Sequence, residues 1–579
     1  MGKLSIANLK KTIYYLQRNG LKNTWNAAWE RLSDTQKYQF TPISEEEKEK
    51  LRRQAGEQIS EAEAKGRMIP YFSILVPAFQ TNPVFLWELV QSLHEQVYPR
   101  WELLLLDASE DGVVRKTLRE ICLAMDLTLY NGCEGMERSF AVDRPFRDER
   151  ELAVGEFHGG LTDARPEFHG SLDAAGPEFH GGLADARPEF RGGLDAAGPE
   201  FRGSGDTIGS EQPRQTGDQG TVRYVSLSVN GGISENTNAG IPYIQGNYVG
   251  LLDHDDVLTP DALHEMAQEI WRSEDADGKG KLPSVLYSDE DKWDGEGNFY
   301  EPNHKEDFNL DQLFSNNYIC HLTVMEKELF RGLGLRKEYD GAQDFDLLLR
   351  AVARLMEAGE KPEEVICHIP KVLYHWRCHS ASTAENPQSK LYAYEAGKRA
   401  LQDFANKQGW KAEVKDLKHV GFYRMEYGEE TSGRDADAET VKRGCDPVEI
   451  LRQRQDLGAV GGKLVSGGVL AGGRMDKDGN VYYEGLKEGY SGYLHRAVLT
   501  QDAEAVDLRC IAVQEEFWPL FEQIVGVPYM MGEDERNAGF DAKLLPEGAD
   551  VKKLSVKFCE ALTQQGKRIL WDPNWSVNL

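Results

Sequence analysis

The sequence predicts an α/β fold in which a mostly parallel sheet is flanked by helices. Residues 72–76 form a short apolar run that reads as a strand ended by Pro77, and residues 101–106 form a second run that ends on Asp107. Between the two runs, apolar residues recur at helical spacing: Leu86, Leu89, Val90, Leu93 and Val97. A strand, a helix and a second buried strand make a βαβ unit, from which parallel sheets are built.

A third apolar run, residues 248–252, stops on a cluster of carboxylates: Asp253, Asp255 and Asp256. Thr259 and Pro260 then predict a helix N-cap followed by proline at the first helical position, and the apolar face of this helix contains Leu263, Met266 and Ile270. The acids therefore lie in a strand-to-helix loop, at the sheet edge where open α/β sheets bind ligands. Asp253 and Asp255 offer two oxygen donors to Mg²⁺ or Mn²⁺. With 96 acidic residues in the chain, such a pair also arises by chance.

Composition limits the classes of function. The chain has 579 residues, enough for about three or four domains, and a formal net charge of −29. This charge argues against non-specific nucleic-acid binding, since phosphates are held by clustered Lys and Arg. No apolar stretch approaches the roughly 18 residues of a membrane span, and the N-terminus shows no signal-peptide core. The eight cysteines form no CxxC pair, so the sequence favours a reducing cytoplasm.

The N-terminal segment, residues 1–66, is predicted to be a helical leader. Its first 24 residues contain five Lys or Arg and no acid, interleaved with apolar residues, which is typical of a basic amphipathic helix. Such a helix either packs on the next domain or attaches peripherally to an anionic membrane surface. Residues 45–66 are charged and Ala-rich, as expected for a solvated helix.

An eleven-residue unit repeats from about residue 155 to residue 203. One Phe and one Leu per unit cannot offset the entropy of ordering the chain, so we predict a flexible insertion over about residues 135–218. His158, His169 and His180 recur in the units and suggest a metal site. Arg191 and Arg202 take the same place in later units, which indicates copying of the unit instead.

Without the repeat, residues 71–403 resemble the family 2 glycosyltransferases of bacterial polysaccharide and O-antigen-type assembly. The resemblance rests on the order of seven segments: SILVPAF, ELLLLDASED, VRYVSLSVNGGISENTNAG, GNYVGLLDHDD, LYSDEDK, GAQDFDLLLR and HWRCHSAST. It implies a GT-A fold, a nucleotide-binding α/β sandwich, over residues 67–420. Residues 421–579 resemble part of a second glycosyltransferase-like domain whose first half is absent, so we expect them to bind acceptor, dimerise or brace the first domain.

The resemblance also implies a metal site and a nucleotide site. Asp253 and Asp255 match the family's Asp-x-Asp, and His379 is implied as a further ligand of Mn²⁺ or Mg²⁺. The donor nucleotide is expected to contact Pro77, Ala78, Phe79, Asp107, Asn238, Asp253 and Arg377. A loop cap is an alternative role for Asp107, a satisfied loop histidine is one for His379, and Thr237 stands where relatives often carry Arg or Lys.

An inverting transfer needs a carboxylate that takes the proton of the attacking hydroxyl. By resemblance Asp344 is this general base, with Gln343 in place of the family's Glu. We predict that Asp344 lies at the N-terminal end of a helix, where the helix dipole favours an ionised carboxylate. Asp346 is the competing candidate, and it could instead cap the same helix.

The function implied is metal-dependent, inverting transfer of a sugar from a UDP- or dTDP-linked donor to a glycan or lipid-linked acceptor in cell-surface polysaccharide synthesis. The expected location is the cytoplasm, at its membrane face if the leader binds lipid, and no nucleic-acid partner is expected. Two alternatives remain: a degenerate, non-catalytic assembly or glycan-binding subunit, and a sugar-nucleotide nucleotidyltransferase. A glycine-rich nucleotide loop with a basic signature is missing, which disfavours the second alternative.

Overall fold

The computed structural model describes residues 6–33, 38–132, 220–274, 280–378, 391–428, 446–529 and 544–579. The predicted repeat insertion and its histidines lie outside these residues. The helices are α1 Ile6–Ser33, α2 Glu45–Lys65, α3 Pro83–His94, α4 Val113–Ala124, α5 Ile233–Asn238, α6 Ala262–Ser273, α7 Leu310–Leu313, α8 Lys327–Leu333, α9 Gln343–Glu357, α10 Pro362–Val365, α11 Leu391–Lys407, α12 Pro447–Gln453, α13 Trp518–Val525 and α14 Val551–Gln564.

The strands form one large sheet, a smaller C-terminal sheet and two two-stranded sheets. They are β1 Phe72–Ala78, β2 Trp101–Asp107, β3 Thr128–Asn131, β4 Thr221–Ser226, β5 Tyr248–Leu251, β6 Val257–Leu258, β7 Val285–Trp293, β8 Phe299–Asn303, β9 Thr323–Glu326, β10 Ile366–Arg377, β11 Ala412–Asp416, β12 Tyr423–Tyr427, β13 Leu457–Ser466, β14 Val469–Gly472, β15 Arg474–Met475, β16 Gln501–Asp502, β17 Ala505–Val506, β18 Ile511–Val513 and β19 Arg568–Asn578. The two-stranded sheets are β11-β12 and β15-β17.

The large sheet has the strand order β3-β4-β2-β1-β5-β9-β7-β10-β6, and β8 pairs with β7. The five adjacent strands β3, β4, β2, β1 and β5 run parallel to one another. Strand β9 is antiparallel to both β5 and β7. Every residue of β2 is buried, as expected for a parallel strand covered on both faces. The predicted α/β class and the βαβ unit β1–α3–β2 are confirmed, with a mixed half of the sheet that the sequence did not show.

Two predicted boundaries are wrong by one or two residues. Pro77 does not end the first strand, because β1 continues to Ala78 and pairs there with Asp107. Thr259 does not cap the helix after the acidic loop, since α6 begins at Ala262. The Thr259 hydroxyl instead donates to the Asp261 carboxylate at 2.7 Å. The predicted apolar face of α6 is fully buried, so the helix keeps the predicted orientation.

The C-terminal residues form a sheet of their own in the order β14-β13-β19-β16, with β18 on β13. Buried charges join this sheet to the central domain. Both oxygens of Asp311, in α7, accept from the Arg454 guanidinium at 2.8 and 3.0 Å, and Arg568 donates to the same carboxylate at 2.5 Å. Arg454 is completely buried. These contacts favour a bracing role for the C-terminal residues.

Helix α1 lies against the rest of the chain along one face. Gly20 breaks its helical geometry with φ 74°, a conformation that glycine adopts readily. Near this break Arg18 donates to the Leu417 carbonyl at 2.9 Å, and Asn19 donates to the Lys418 carbonyl at 3.0 Å. At the far end the Glu30 carboxylate accepts from backbone N–H groups of the loop at residues 491–492. The leader therefore packs on the protein, one of its two predicted roles.

The α1 docking site contains two stacked histidines, His419 and His495, whose ring centroids are 3.4 Å apart. Burial, with the neighbouring His495 and Lys418, lowers the pKa of His419 to about 3, and burial lowers the pKa of His495 to about 4. Tyr15 of α1 packs on this pair, with a ring separation of 5.6 Å from His419. Both imidazoles are therefore neutral in the folded protein at neutral pH.

This pair predicts acid sensitivity. Because the folded pKa values lie below the unfolded value of about 6.5, the unfolded chain binds protons first as the pH falls. Each histidine should cost about 2 to 3 kcal/mol of stability between pH 6.5 and 4.5. We expect the unfolding midpoint of the double variant His419→Phe, His495→Phe to fall less over this interval than that of the unchanged protein. Parallel profiles of the two proteins in thermal melts would contradict the assignment.

Candidate functional site

A pocket opens at the carboxyl ends of β1 and β5, beside the first turn of α9. The empty space at this opening, including the part open to solvent, is about 610 Å³. Pro77, Asp253 and Asp344 all line it, so three side chains predicted to act together are brought to one place. Its other polar residues are Thr237, Cys320, His321, Thr323 and Gln343.

Asp253 is the acidic residue of this pocket without a protein partner. Burial raises its pKa, the charge of His321 lowers it, and the neighbouring Asp255 raises it again. The described residues include no hydrogen-bond donor to the Asp253 carboxylate. A desolvated carboxylate beside a second one is a donor set of hard oxygens, which suits a divalent cation. The residues present therefore fit the metal that the Asp-x-Asp pattern implies.

Asp256 has a different environment from Asp253. It is fully buried, and its carboxylate accepts from the Tyr374 hydroxyl and from the backbone N–H of Arg377 at 2.7 Å. Burial, followed by the charges of Asp255 and Asp253, raises its pKa well above the usual range. Asp256 thus ties the acidic loop to the end of β10.

The Arg377 side chain reinforces the same connection. Its Nε donates to the Asp255 carbonyl at 2.5 Å and its Nη2 donates to Glu88 at 2.6 Å. The guanidinium lies 4.1 Å from the centre of the Trp293 ring and 4.4 Å from that of Phe85. Arg377 is outside the pocket lining and is engaged by the protein, and a contact with phosphate stays a prediction. His379 lies outside the described residues.

Asp344 is the second residue of α9, as predicted, and the following apolar residues of this helix are buried. Its Oδ2 accepts from Asn317 Nδ2 at 3.0 Å and from the Cys320 thiol at 2.6 Å. Its Oδ1 accepts from the backbone N–H of Phe345 at 2.8 Å. These three donors orient the carboxylate at the N-terminal end of the helix.

Asp346, the competing candidate for the base, is held away from the pocket. It is 1% exposed, and its oxygens accept from Arg336 Nε at 3.1 Å and Arg350 Nε at 2.8 Å. Arg350 also donates to the carbonyls of Leu333 and Gly334, at the end of α8. Asp346 therefore joins α9 to the preceding helix, which leaves Asp344 as the acid of this helix that faces the pocket.

The sequence did not indicate His321. His321 Nδ1 lies 3.0 Å from Glu290 Oε2, and its backbone N–H donates to the same oxygen at 3.1 Å. Burial lowers the pKa of His321, but the hydrogen bond and charge of Glu290 outweigh it, and the pKa is raised to about 9. The neighbours of Glu290 in β7, Asp289 and Asp291, are also buried and hydrogen-bonded. His321 is thus a cation in the pocket next to Asp253.

Cys320, His321 and Asp344 form a compact group. One ligand atom from each lies within 4.8 Å of the others, and in the part of the chain that the structure describes no other group of three or more such residues does so. Asp344 was predicted by itself, but Cys320 lies 24 positions before it, which explains why no motif pointed to the group as a whole.

Asp107, Ala78 and Phe79, which were predicted to contact the nucleotide, lie at the ends of β1 and β2. Asp107 accepts from the Tyr224 hydroxyl at 2.8 Å and from the Ser109 N–H at 2.9 Å, which is the capping role foreseen as its alternative. Ala78 is buried, and Phe79 is 43% exposed at the end of β1. These residues border the sheet edge without lining the pocket.

Asn238 is engaged by the backbone of the segment after α8. Its side-chain amide donates to the Leu335 carbonyl and accepts from the Leu335 N–H, both at 2.8 Å. This two-bond contact uses both ends of the amide. Asn238 therefore positions α5 against this segment, and a nucleotide contact stays a prediction.

Comparison with known proteins identifies the segment that contains the acidic loop. Residues 205–334 match the family described as "Glycosyl transferase family 2". The chain is 41% identical over 183 residues to the uncharacterized protein y4gI of Sinorhizobium fredii (strain NBRC 101917 / NGR234), covering 31% of this chain and 19% of that protein. It is 35% identical over 207 residues to the O-antigen biosynthesis protein RfbC of Myxococcus xanthus, covering 36% and 15%. The chain thus spans less than a fifth of either relative.

Solved structures give weaker likenesses. Residues 1–349 of Staphylococcus aureus TarS, in complex with UDP-GlcNAc, superpose with a TM-score of 0.33 at 12% identity. The match covers 58% of this chain and 67% of that TarS chain. The mannosyltransferase PcManGT of Pyrobaculum calidifontis, in complex with GDP-Man and Mn²⁺, gives 0.31 at 11% identity, covering 70% and 85%. At these scores no property of either protein is carried over. On the sequence match, the chain carries over residues 205–334 a domain that belongs to glycosyl transferase family 2.

Proposed function

We propose that the protein transfers a sugar from a nucleoside-diphosphate sugar to a hydroxyl of a growing glycan or lipid-linked acceptor. The observation that carries this proposal is the meeting of Asp253 and Asp344 in one pocket. Among the described residues, the Asp253 carboxylate has no hydrogen-bond donor, whereas the Asp344 carboxylate accepts from three donors. This division suits a cation-binding acid and a general base working on one bound substrate.

Asp344 supplies the base. For inversion, the acceptor oxygen must attack the anomeric carbon from the face opposite the diphosphate and lose its proton to a carboxylate. The side chains of Asn317 and Cys320 keep the Asp344 carboxylate directed toward the pocket. These donors fix the orientation of the proposed base before substrate arrives.

Asp253 and Asp255 would hold Mg²⁺ or Mn²⁺, which when bound stabilises the negative charge of the departing diphosphate. The lining favours such a requirement, because among the described residues of the pocket there is no Lys or Arg. His321 supplies one positive charge close to Asp253. A diphosphate carries more negative charge than one imidazolium balances, so the protein needs a further cation there.

The remaining assignments follow from the same proposal. Residues 67–420 form the catalytic domain, residues 1–66 the leader, and residues 421–579 a brace that leaves the pocket open to a UDP- or dTDP-linked donor. Synthesis of a cell-surface polysaccharide in the cytoplasm, at the inner face of the membrane, is the proposed setting. None of the helices in the described residues combines the length and apolarity needed to cross a bilayer.

Nucleotide titration of Asp253→Asn tests the metal site. We expect UDP, dTDP or GDP to bind the unchanged protein in the presence of Mn²⁺, and the variant to lose at least about tenfold in affinity, because a neutral amide is a poor ligand for a hard cation. Without metal, the variant should melt at the same temperature as the unchanged protein or higher, because the raised pKa of Asp253 shows that its ionised form is disfavoured in the folded state.

Asp255→Asn should behave like Asp253→Asn in the titration. Glu235→Gln is the matched control, since Glu235 is an exposed acid paired with Lys337 outside the pocket. Metal-dependent binding that survives both aspartate substitutions would overturn the site. Failure of every nucleotide to bind the unchanged protein would favour a degenerate, non-catalytic subunit.

A further inference from the structure

The second half of α1 exposes three large apolar side chains on one face. Leu21, Trp25 and Trp29 follow each other at four-residue spacing and are 79%, 69% and 52% exposed. The two tryptophan rings are nearly parallel, with centroids 6.3 Å apart. Four-residue spacing places the three side chains along one ridge of the helix.

This ridge points away from the protein because the other face of α1 is already anchored. Asn19 donates to the Lys418 carbonyl, the Asn23 side chain accepts from Lys418 Nζ at 3.2 Å, and Glu30 accepts from the N–H of Gly492 at 2.7 Å. A rotation that buried the tryptophans would break these contacts. The exposed face is therefore a fixed feature of the docked helix.

The stretch of sequence that leads into the ridge is positively charged, whereas the whole chain is negatively charged. The chain carries a net charge of −29, yet no acid precedes Glu30, and Lys3, Lys10, Lys11, Arg18 and Lys22 all lie in this stretch. Lys22, which follows Leu21 of the ridge, is exposed. Such a segment is attracted to an anionic surface that the rest of the protein avoids.

We propose that the face formed by Leu21, Trp25 and Trp29, with Lys22 beside it, docks on an anionic phospholipid bilayer. Tryptophan suits the boundary between headgroups and acyl chains, because its ring is apolar and its N–H is polar. Leu21 adds apolar area, and the Lys22 ammonium pairs with a lipid phosphate. This docking is independent of the proposed transfer reaction and would hold the pocket near a membrane-bound acceptor.

A second copy of the chain fits the ridge less well. At the observed exposures, two tryptophans and a leucine offer on the order of 400 Å² of surface, about half of what each partner of a stable protein interface buries. Two such ridges would also bring Lys22 of both copies together. Repulsion between these like charges opposes self-association and favours an anionic partner.

Co-sedimentation of the full chain with vesicles tests the proposal. We expect binding to phosphatidylcholine vesicles that contain about one third phosphatidylglycerol, and at least about tenfold weaker binding to pure phosphatidylcholine. The double variant Trp25→Ser, Trp29→Ser should lose at least about tenfold in binding to the anionic vesicles. Both residues are exposed, so their replacement should leave the melting temperature unchanged.

Trp87→Ser is the matched control, because Trp87 is also exposed, at 41%, but lies on α3. It should bind vesicles as the unchanged protein does. Equal binding of the double variant and the unchanged protein, or no binding to either vesicle, would overturn the proposal. So would sedimentation equilibrium showing a dimer that the double variant abolishes without any vesicle binding.

Discussion

Asp344→Asn should lower sugar transfer by about 10²- to 10⁴-fold while leaving nucleotide binding unchanged. An asparagine has the same shape and can still accept from Asn317 and Cys320, so the pocket should keep its form. Its amide cannot take the proton of an attacking hydroxyl at neutral pH. The loss should therefore fall on the rate of transfer and not on the affinity for the donor.

The rate is measured as release of nucleoside diphosphate from the donor that the titrations identify, with glycan or lipid-linked acceptors supplied. Asp346→Asn is the comparison within the same helix, since Asp346 is bound by Arg336 and Arg350 outside the pocket. It should lower the melting temperature and leave the activity per folded molecule nearly unchanged. Full activity of Asp344→Asn would remove Asp344 from the proposed mechanism.

Arg454→Met should destabilise the protein by about 3 to 5 kcal/mol. Arg454 is fully buried and binds both oxygens of Asp311, which is 3% exposed. Methionine fills much of the same space, but it leaves Asp311 with less compensation for its buried charge. Because the pair connects the C-terminal sheet to the central domain, we expect the loss to appear in the unfolding of both.

Urea unfolding followed by circular dichroism measures this effect. Arg452→Met is a control on the same helix, because Arg452 is 69% exposed and pairs with Glu449 of that helix. It should change stability by less than about 0.5 kcal/mol. A similar small change for Arg454→Met would show that the buried pair does not join the two sheets, and the bracing role would be lost.

Much of the catalytic half could be predicted because its signals are local. A buried strand is recognisable from a run of apolar residues, and a helix from apolar residues three or four positions apart. The boundaries of β1, β2, α6 and α9 were therefore predicted to within a residue or two. The position of Asp344 at the start of α9 followed from the apolar residues after it. The meeting of Pro77, Asp253 and Asp344 was predicted from the resemblance to a family, because the family's fold indicates which loops lie together. Local sequence patterns do not contain this information.

By itself, then, the sequence determined the α/β class, the acidic loop at a strand end, the position of Asp344 at a helix start and the helical leader. Tertiary structure alone decided which partner each buried charge has. Arg377 binds the Asp255 carbonyl from 122 positions away, and His321 gains its charge from Glu290, 31 positions earlier. The physical reason is that secondary structure depends on neighbours along the chain, whereas compensation of a buried charge depends on whichever groups the folded sheet brings within hydrogen-bond distance.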